Sequence, residues 1–382
     1  MNGSDISVNP ALSGTLFLCN NSVGVDYSPA PVQVGVTCFK VKCTYSQLEA
    51  AAFNQNQFPE IFSGLTSPTP SIEGLPVLRA AVFELGCGSV AVGIRCHHIL
   101  MDAAAAVAVC GEISKAMRDP LYKPVEFWHD RQVVHKLLSA QERGEPAIEQ
   151  HLQDVDKKQP LVSIAEAECQ CHQIHVSAQM IQQLKKLSNA ASNNSLVMAL
   201  FWRTWTRTLV QLGATSQFTY TGGPVDLRSR AQHLDLDRYL GNFVLPHATF
   251  ATKDFVMQST LAEVAESLRQ HFQAVSLPLL RRIADNVERG MPDVLAEIAT
   301  GDSPTLAFSN MVRLPMHDVD FGMDPRKQSA DSVQLCSFEA PLMMFAISDG
   351  QGGILTNVVL PGAVKNAFVA DEEFGRYATF KY

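Results

Sequence analysis

Apolar and β-branched residues alternate with polar ones along residues 32–43, which predicts a strand. Shorter runs of the same kind at 14–19, 76–85 and 89–96 predict three more, the last two joined at the turn Gly86-Cys87-Gly88. The period then changes. Val107, Cys110, Ile113 and Met117 recur every three or four positions, so 103–117 is expected to be a helix with one apolar face. A short helix is expected at 46–53, and the stretch 55–70, rich in Pro, Ser and Gly, reads as loop.

Residues 119–160 are charged and weakly periodic, and they read as a crossover between two halves. Beyond it a strand is expected at 171–176. Ser177 then caps a helix carrying Ile181 and Leu184, and the Ser192–Asn194 stretch caps another that buries Leu196, Leu200 and Trp202. Strands at 218–226 and 243–249, helices at 260–275 and 278–297, and strands at 305–311, 333–338 and 354–359 complete the pattern. No repeat is visible. The fold expected is α/β, with two mixed-sheet sandwich domains at 1–160 and 161–382, and not a βαβ nucleotide fold.

Composition narrows the function. With 46% apolar and 18% charged residues in 382, the chain can fill two cores and is not disordered. Thirty Lys and Arg against 38 Asp and Glu give a net charge of −8, which disfavours nucleic acid or an anionic membrane as partner. A small anionic cofactor needs only a few local cations and stays admissible. No apolar run approaches the ~18–20 residues of a membrane span, and residues 1–10 lack a secretory pattern. Nine scattered cysteines suggest reduced thiols and a cytoplasmic setting.

The most informative stretch is Arg95-Cys96-His97-His98-Ile99-Leu100-Met101-Asp102-Ala103, where a strand gives way to a helix. A histidine there sits at the lip of a sheet, and an imidazole with an ordinary pKa near ~6.5 can take a proton from a hydroxyl or amine. The plainer reading makes His97 and His98 strand-end hydrogen bonders and Asp102 a helix cap.

Three further stretches bear on that choice. Pro224-Val225-Asp226-Leu227-Arg228-Ser229-Arg230 is followed by Tyr239-Leu240-Gly241-Asn242, Asp320-Phe321-Gly322 comes later, and the 195–203 stretch lies between His98-x-x-x-Asp102 and Pro224. Together with His98-x-x-x-Asp102 they resemble, in order and spacing, the HxxxD, VDxRSR…YxGN and DFGWG stretches of the BAHD acyl-CoA-dependent acyltransferases. That family is related to condensation and chloramphenicol-acetyltransferase-like enzymes.

The resemblance, which runs from about residue 14 to the end, implies two chloramphenicol-acetyltransferase-like domains with an active-site channel between them. It implies acyl-CoA as co-substrate, acetyl first among donors, and a small specialised metabolite carrying an alcohol or amine as acceptor. His98 would be the general base, oriented by Asp102, with Arg228 as the carboxylate's partner and Asp320 and Gly322 as structural support. Ser309 and Asn310 would line the pantetheine path, with Arg313 and Arg230 near the phosphates. No metal, no resident cofactor and a monomer are expected.

Four departures stand out. Ala103 replaces the glycine after the HxxxD aspartate, and Met323 and Asp324 replace the Trp and second Gly of DFGWG. The family's opening strand and long helix are not found before Leu16-Phe17-Leu18-Cys19-Asn20. A truncated, inactive member with a binding role is therefore one alternative. A condensation-type enzyme with a carrier-bound donor is another, since His97-His98 matches that group's doubled histidine.

Other motifs carry less. Cys169-x-Cys171-His172-x-x-His175 could be called a metal cluster, but strand alternation splits it between two faces. A hydrolase triad lacks its GxSxG elbow, and Cys96 is expected on the strand face opposite His97. Gly222-Gly223-Pro224 reads as a strand irregularity and not as a phosphate cradle.

Overall fold

A computed structural model describes residues 10–19, 22–26, 36–62, 74–130, 132, 169–188, 190–214, 217–231, 236–276, 305–322, 330, 332–335 and 343–382. The expected helix at 278–297 and most of the crossover lie outside the described residues. The chain forms two compact units that are interleaved along the sequence, where a single cut near residue 160 was expected. The first comprises Met1–Arg131, Gln232–Phe243 and Leu314–Cys336, and the second Gln132–Ala231, Val244–Arg313 and Ser337–Tyr382. The return of 232–243 and 314–336 to the first unit depends on packing between segments distant in sequence, which no local period encodes.

In the first unit, β1 (Thr15–Cys19) and β2 (Ser22–Asp26) form an antiparallel ribbon. β3 (Val36–Lys40), β4 (Leu78–Glu84) and β5 (Val90–Cys96) form a sheet in that order, parallel between β3 and β4 and antiparallel between β4 and β5. Alternation on β4 serves both faces. Ala81 and Phe83 bury with Leu48 of α1 (Tyr45–Ala50), whose capping box joins Thr44 to Gln47. Leu78 buries on the other side with Ala105 and Val109 of α3 (Ala103–Arg118). The short α2 (Pro59–Phe62) adds Ile61 to the first cluster.

The second unit is built on a seven-stranded mixed sheet, in the order β12-β6-β11-β10-β9-β7-β8. Its strands are β6 (Cys169–Val176), β7 (Phe218–Asp226), β8 (Val244–Thr252), β9 (Thr305–Asn310), β10 (Met343–Ser348), β11 (Ile354–Pro361) and β12 (Thr379–Phe380). β9 runs parallel to β7 and β10, and the other pairs are antiparallel. The helices are α4 (Ala178–Lys185), α5 (Asn193–Gln211), α6 (Lys253–Gln258), α7 (Leu261–Ala274), α8 (Gly362–Ala370) and α9 (Glu372–Tyr377). α5 is buried on nearly every side, its Arg203, Thr204, Thr206 and Thr208 included, with Leu196, Leu200, Phe201, Trp202 and Trp205 at 1% exposure or less. Trp202 Nε1 donates to Thr219 Oγ1 at 3.2 Å, so the indole keeps a partner in the core.

One expected strand is corrected. Residues 333–335 of the expected strand 333–338 are irregular, and the strand lies instead at Met343–Ser348, between β9 and β11. A central strand covered on both faces has no polar alternation to reveal it.

Gly222 and Gly223 explain a second feature of β7. A Cβ on Gly223 would lie 1.9 Å from the Phe308 carbonyl oxygen, and one on Gly222 would lie 2.2 Å from that of His247. The glycines let the neighbouring strands close on β7, and pairing with β8 runs unbroken through both, so the irregularity expected from the sequence does not interrupt the ladder. Gly223→Ala is expected to lower the melting temperature by ~5 °C or more, because backbone must shift to admit the methyl. A melting temperature within 1 °C of wild type would count against this packing. Among the described residues, no helix is long and apolar enough to cross a membrane.

Candidate active site

β5 ends at Cys96 and α3 begins at Ala103, and the intervening turn carries both residues of the HxxxD motif. His97 N donates to Val77 O at 2.7 Å, continuing the strand contact by one residue, and Leu100 N donates to His97 O at 3.0 Å to close the turn. The His97 ring takes part in the turn, its Nδ1 accepting from Ile99 N at 3.3 Å. Burial, helped by Arg95 and His98, holds its pKa below the ordinary value, so it stays neutral near pH 7. His98 is exposed, and among the described residues nothing bonds to its ring nitrogens.

Asp102 is 3% exposed and both carboxylate oxygens are engaged. Oδ1 accepts from Ala105 N at 3.1 Å, which caps α3, and Oδ2 accepts from Phe243 N at 2.8 Å. The capping role of the plainer reading is therefore present. Sequence reasoning named Arg228 as a partner of this carboxylate and did not anticipate the two backbone amides beside it. The side chain next to the second amide also reaches the motif, because Asn242 Nδ2 donates to His98 O at 2.8 Å.

Residues 239–243 are themselves fixed in the first unit. Trp128 N donates to Arg238 O at 3.0 Å, Leu240 N donates to Trp128 O at 2.7 Å, and the Trp128 and Tyr239 rings lie 4.7 Å apart. Leu240 is buried beside Leu100, Met101 and Val109. A Cβ on Gly241 would lie 2.4 Å from the Tyr239 ring, so the tight bend that aims Asn242 and Phe243 back at the motif requires glycine.

The far half of α3 is anchored by the DFG stretch. Ser114 Oγ donates to Asp320 O at 2.6 Å and lies 3.1 Å from Asp320 N, which donates to it. Asp320 Oδ1 accepts from Gly322 N at 3.0 Å, and Arg118 lies 3.8 Å from Oδ2. Gly322 adopts φ +73°, and an added Cβ would press on the Arg118 side chain at 2.8 Å. Neither replaced residue, Met323 nor Asp324, falls among the described residues. Ser114→Ala is expected to cost about 1–3 kcal/mol, because it strands a buried amide and carbonyl. Thermal melting checks this, and an unchanged midpoint would contradict it.

The remaining sequence-selected residues lie in the second unit. The Arg228 side chain is 8% exposed, and Asp226 Oδ1 accepts from its backbone N at 2.9 Å and from its Nη1 at 3.2 Å. Arg230 is exposed and donates through Nη2 to Phe272 O at 2.8 Å, in the last turn of α7. Ser309 and Asn310 end β9. Ser309 is buried, while Asn310 bonds the Asn194 side chain and accepts from Val312 N at 3.0 Å. Arg313 is exposed, three residues on. Arg230 thus bonds a helix end, and Ser309, Asn310 and Arg313 lie along one short segment.

Rival chemistry finds little footing. Cys96 packs on the α3 side with Ile94, and burial beside Cys110 pushes its thiol up to about 12, far from a thiolate. In β6, His172 Nδ1 faces Tyr382 O at 3.2 Å and His175 Nε2 bonds Asp349 Oδ2 at 2.9 Å, so each ring has a partner of its own. No cluster of metal-ligating side chains occurs among the described residues.

What the turn offers chemically is an exposed imidazole on a backbone tied down from both sides. It lies beside the N-terminus of α3. The family described as "Transferase family" matches residues 6–374. Agmatine coumaroyltransferase-1 of Hordeum vulgare is 24% identical over 261 residues, covering 63% of this chain and 57% of the relative. Agmatine hydroxycinnamoyltransferase 1 of Oryza sativa subsp. japonica is 24% identical over 295 residues, covering 67% and 63%. The chain thus spans less than two thirds of the length of either relative. TRI101 of F. sporotrichioides, solved with coenzyme A and T-2, superposes with a TM-score of 0.77 at 17% identity, covering 99% of this chain and 89% of the other.

Proposed function

The chain belongs to the BAHD-type transferase family, whose match spans residues 6–374, and on that premise we propose that it transfers an acyl group from acyl-CoA to a small metabolite. The acceptor class is an alcohol or amine, acetyl is the first donor to test, and His98 is the general base. The observation that carries the reading is the turn itself. His98 presents a ring with no bond among the described residues, on a backbone held through its carbonyl by Asn242 and through Asp102 by Phe243.

In this reaction the His98 imidazole takes the proton from the acceptor O–H or N–H as the freed lone pair attacks the thioester carbonyl carbon. The C–S bond then breaks, and the imidazolium returns its proton to the departing CoA thiolate. A thioester is already activated, so one positioned base suffices and no protein nucleophile is needed. Asp102 and Phe243 hold the turn and do not touch the reacting atoms. CoA is a diffusible co-substrate in this scheme. Ser309, Asn310 and Arg313 are its proposed contacts, and Arg230 keeps a lesser claim because α7 already occupies part of its guanidinium.

Two donor readings are separated by experiment. The names of the barley and rice relatives point to a coumaroyl or hydroxycinnamoyl donor and agmatine, an amine, as acceptor. Purified protein would be incubated with acetyl-CoA or p-coumaroyl-CoA and with agmatine or a panel of alcohols and amines, following free thiol. Acceptor-dependent thiol release supports the proposal. Release from no acyl-CoA, with activity only on a carrier-bound acyl group, would favour the condensation alternative.

A further inference from the structure

The geometry points to Asn242 as a positioning residue for His98: its side-chain amide, bonded to the His98 carbonyl, fixes the backbone from which the base is presented. The inference rests on His98 being the base. The His98 ring has no bond to hold it among the described residues, so its placement depends on the backbone that carries it. That backbone lies in an exposed turn. Leu100 N and Ile99 N close the turn on His97, one residue before the base, and Asp102 fixes it four residues after. Between those points, the His98 carbonyl is gripped at 2.8 Å by Asn242.

Asn242 is well placed to act as a rigid donor. Its neighbours are immobilised on both sides, by Gly241 packed against the Tyr239 ring and by the buried Phe243, whose amide reaches Asp102. Asn242 itself is exposed, so its own packing contributes little to the core. Its contribution is therefore directional and specific to the donor. Displacing a reacting group by about 1 Å can cost ~10²-fold in rate, and that sets the scale expected.

The test is a double-mutant cycle on the full chain, using the acyl-CoA and acceptor pair with the fastest thiol release. Asn242→Ala is expected to lower kcat by ~10–10²-fold, with the KM for acyl-CoA within about twofold and an unchanged melting temperature. Asn242→Asp preserves the shape but presents a carboxylate that cannot donate at neutral pH, so it is expected to lose as much as alanine. In a His98→Ala background, Asn242→Ala should cost nothing further, because no base remains to be placed. Full activity in Asn242→Asp, or an equal loss from Asn242→Ala in both backgrounds, would overturn the inference while leaving His98 as base. Wild-type turnover in His98→Ala alone would instead remove the reading on which it rests.

Discussion

His98→Ala is expected to lower turnover by ~10²–10⁴-fold, the usual contribution of a general base. Its KM values and melting temperature should stay near wild type, because the ring is exposed and makes no bond to the described structure. His97 provides the matched control. Its Nδ1 accepts from Ile99 N and burial lowers its pKa, so His97→Ala should loosen the turn and reduce turnover far less. Steady-state kinetics on the two variants decides it. A profile in which His97→Ala is inactive and His98→Ala is not would reverse the assignment of the base.

Asp102→Ala is expected to produce the largest loss of stability among substitutions in the turn. It removes the α3 cap, worth about 0.5–2 kcal/mol. It also leaves the Phe243 amide without its acceptor, in a residue 2% exposed, at about 1–3 kcal/mol. A combined loss of about 2–4 kcal/mol should lower the melting midpoint by ~5–15 °C. Asp102→Asn should fall between, since its one carbonyl oxygen can serve only one amide well. If Asp102→Ala melts with the wild type, the two-ended clamp is wrong.

β4, β5, α3 and α5 were legible because each buries one face or one continuous body, and its period says so. β10 was not, because Met343–Ser348 is buried between two strands and shows no alternation, whereas the 333–338 stretch imitates alternation without pairing among its described residues. The C-terminal α8 and α9 were also missed. α9 is pinned to α5 by Arg207 on Asp371 at 2.6 Å and Arg203 on Glu373 at 2.9 Å, pairings that sequence does not announce.

The candidate site divides in the same way. His98 and Asp102 could be read directly from the sequence, because a histidine and a carboxylate are chemically conspicuous at a strand-to-helix junction. The two backbone amides that bond Asp102 could not, since any residue carries one. Asn242 was visible within Tyr239-Leu240-Gly241-Asn242, yet nothing in the order of residues places it against a carbonyl 144 positions away. The interleaving of the units is what brings it there, and interleaving depends on tertiary packing.

Acyl transfer by His98 is tested most directly by following the acyl group itself. Wild-type protein and His98→Ala would each be given acyl-CoA labelled with ¹³C in the acyl carbonyl, with the acceptor panel, and products weighed by mass spectrometry. Wild-type protein should yield an acceptor carrying the labelled acyl group and an equal amount of free CoA, with His98→Ala slower by ~10²-fold or more. Labelled acceptor formed by His98→Ala at the wild-type rate, or CoA released with the label found only as free acid, would contradict it.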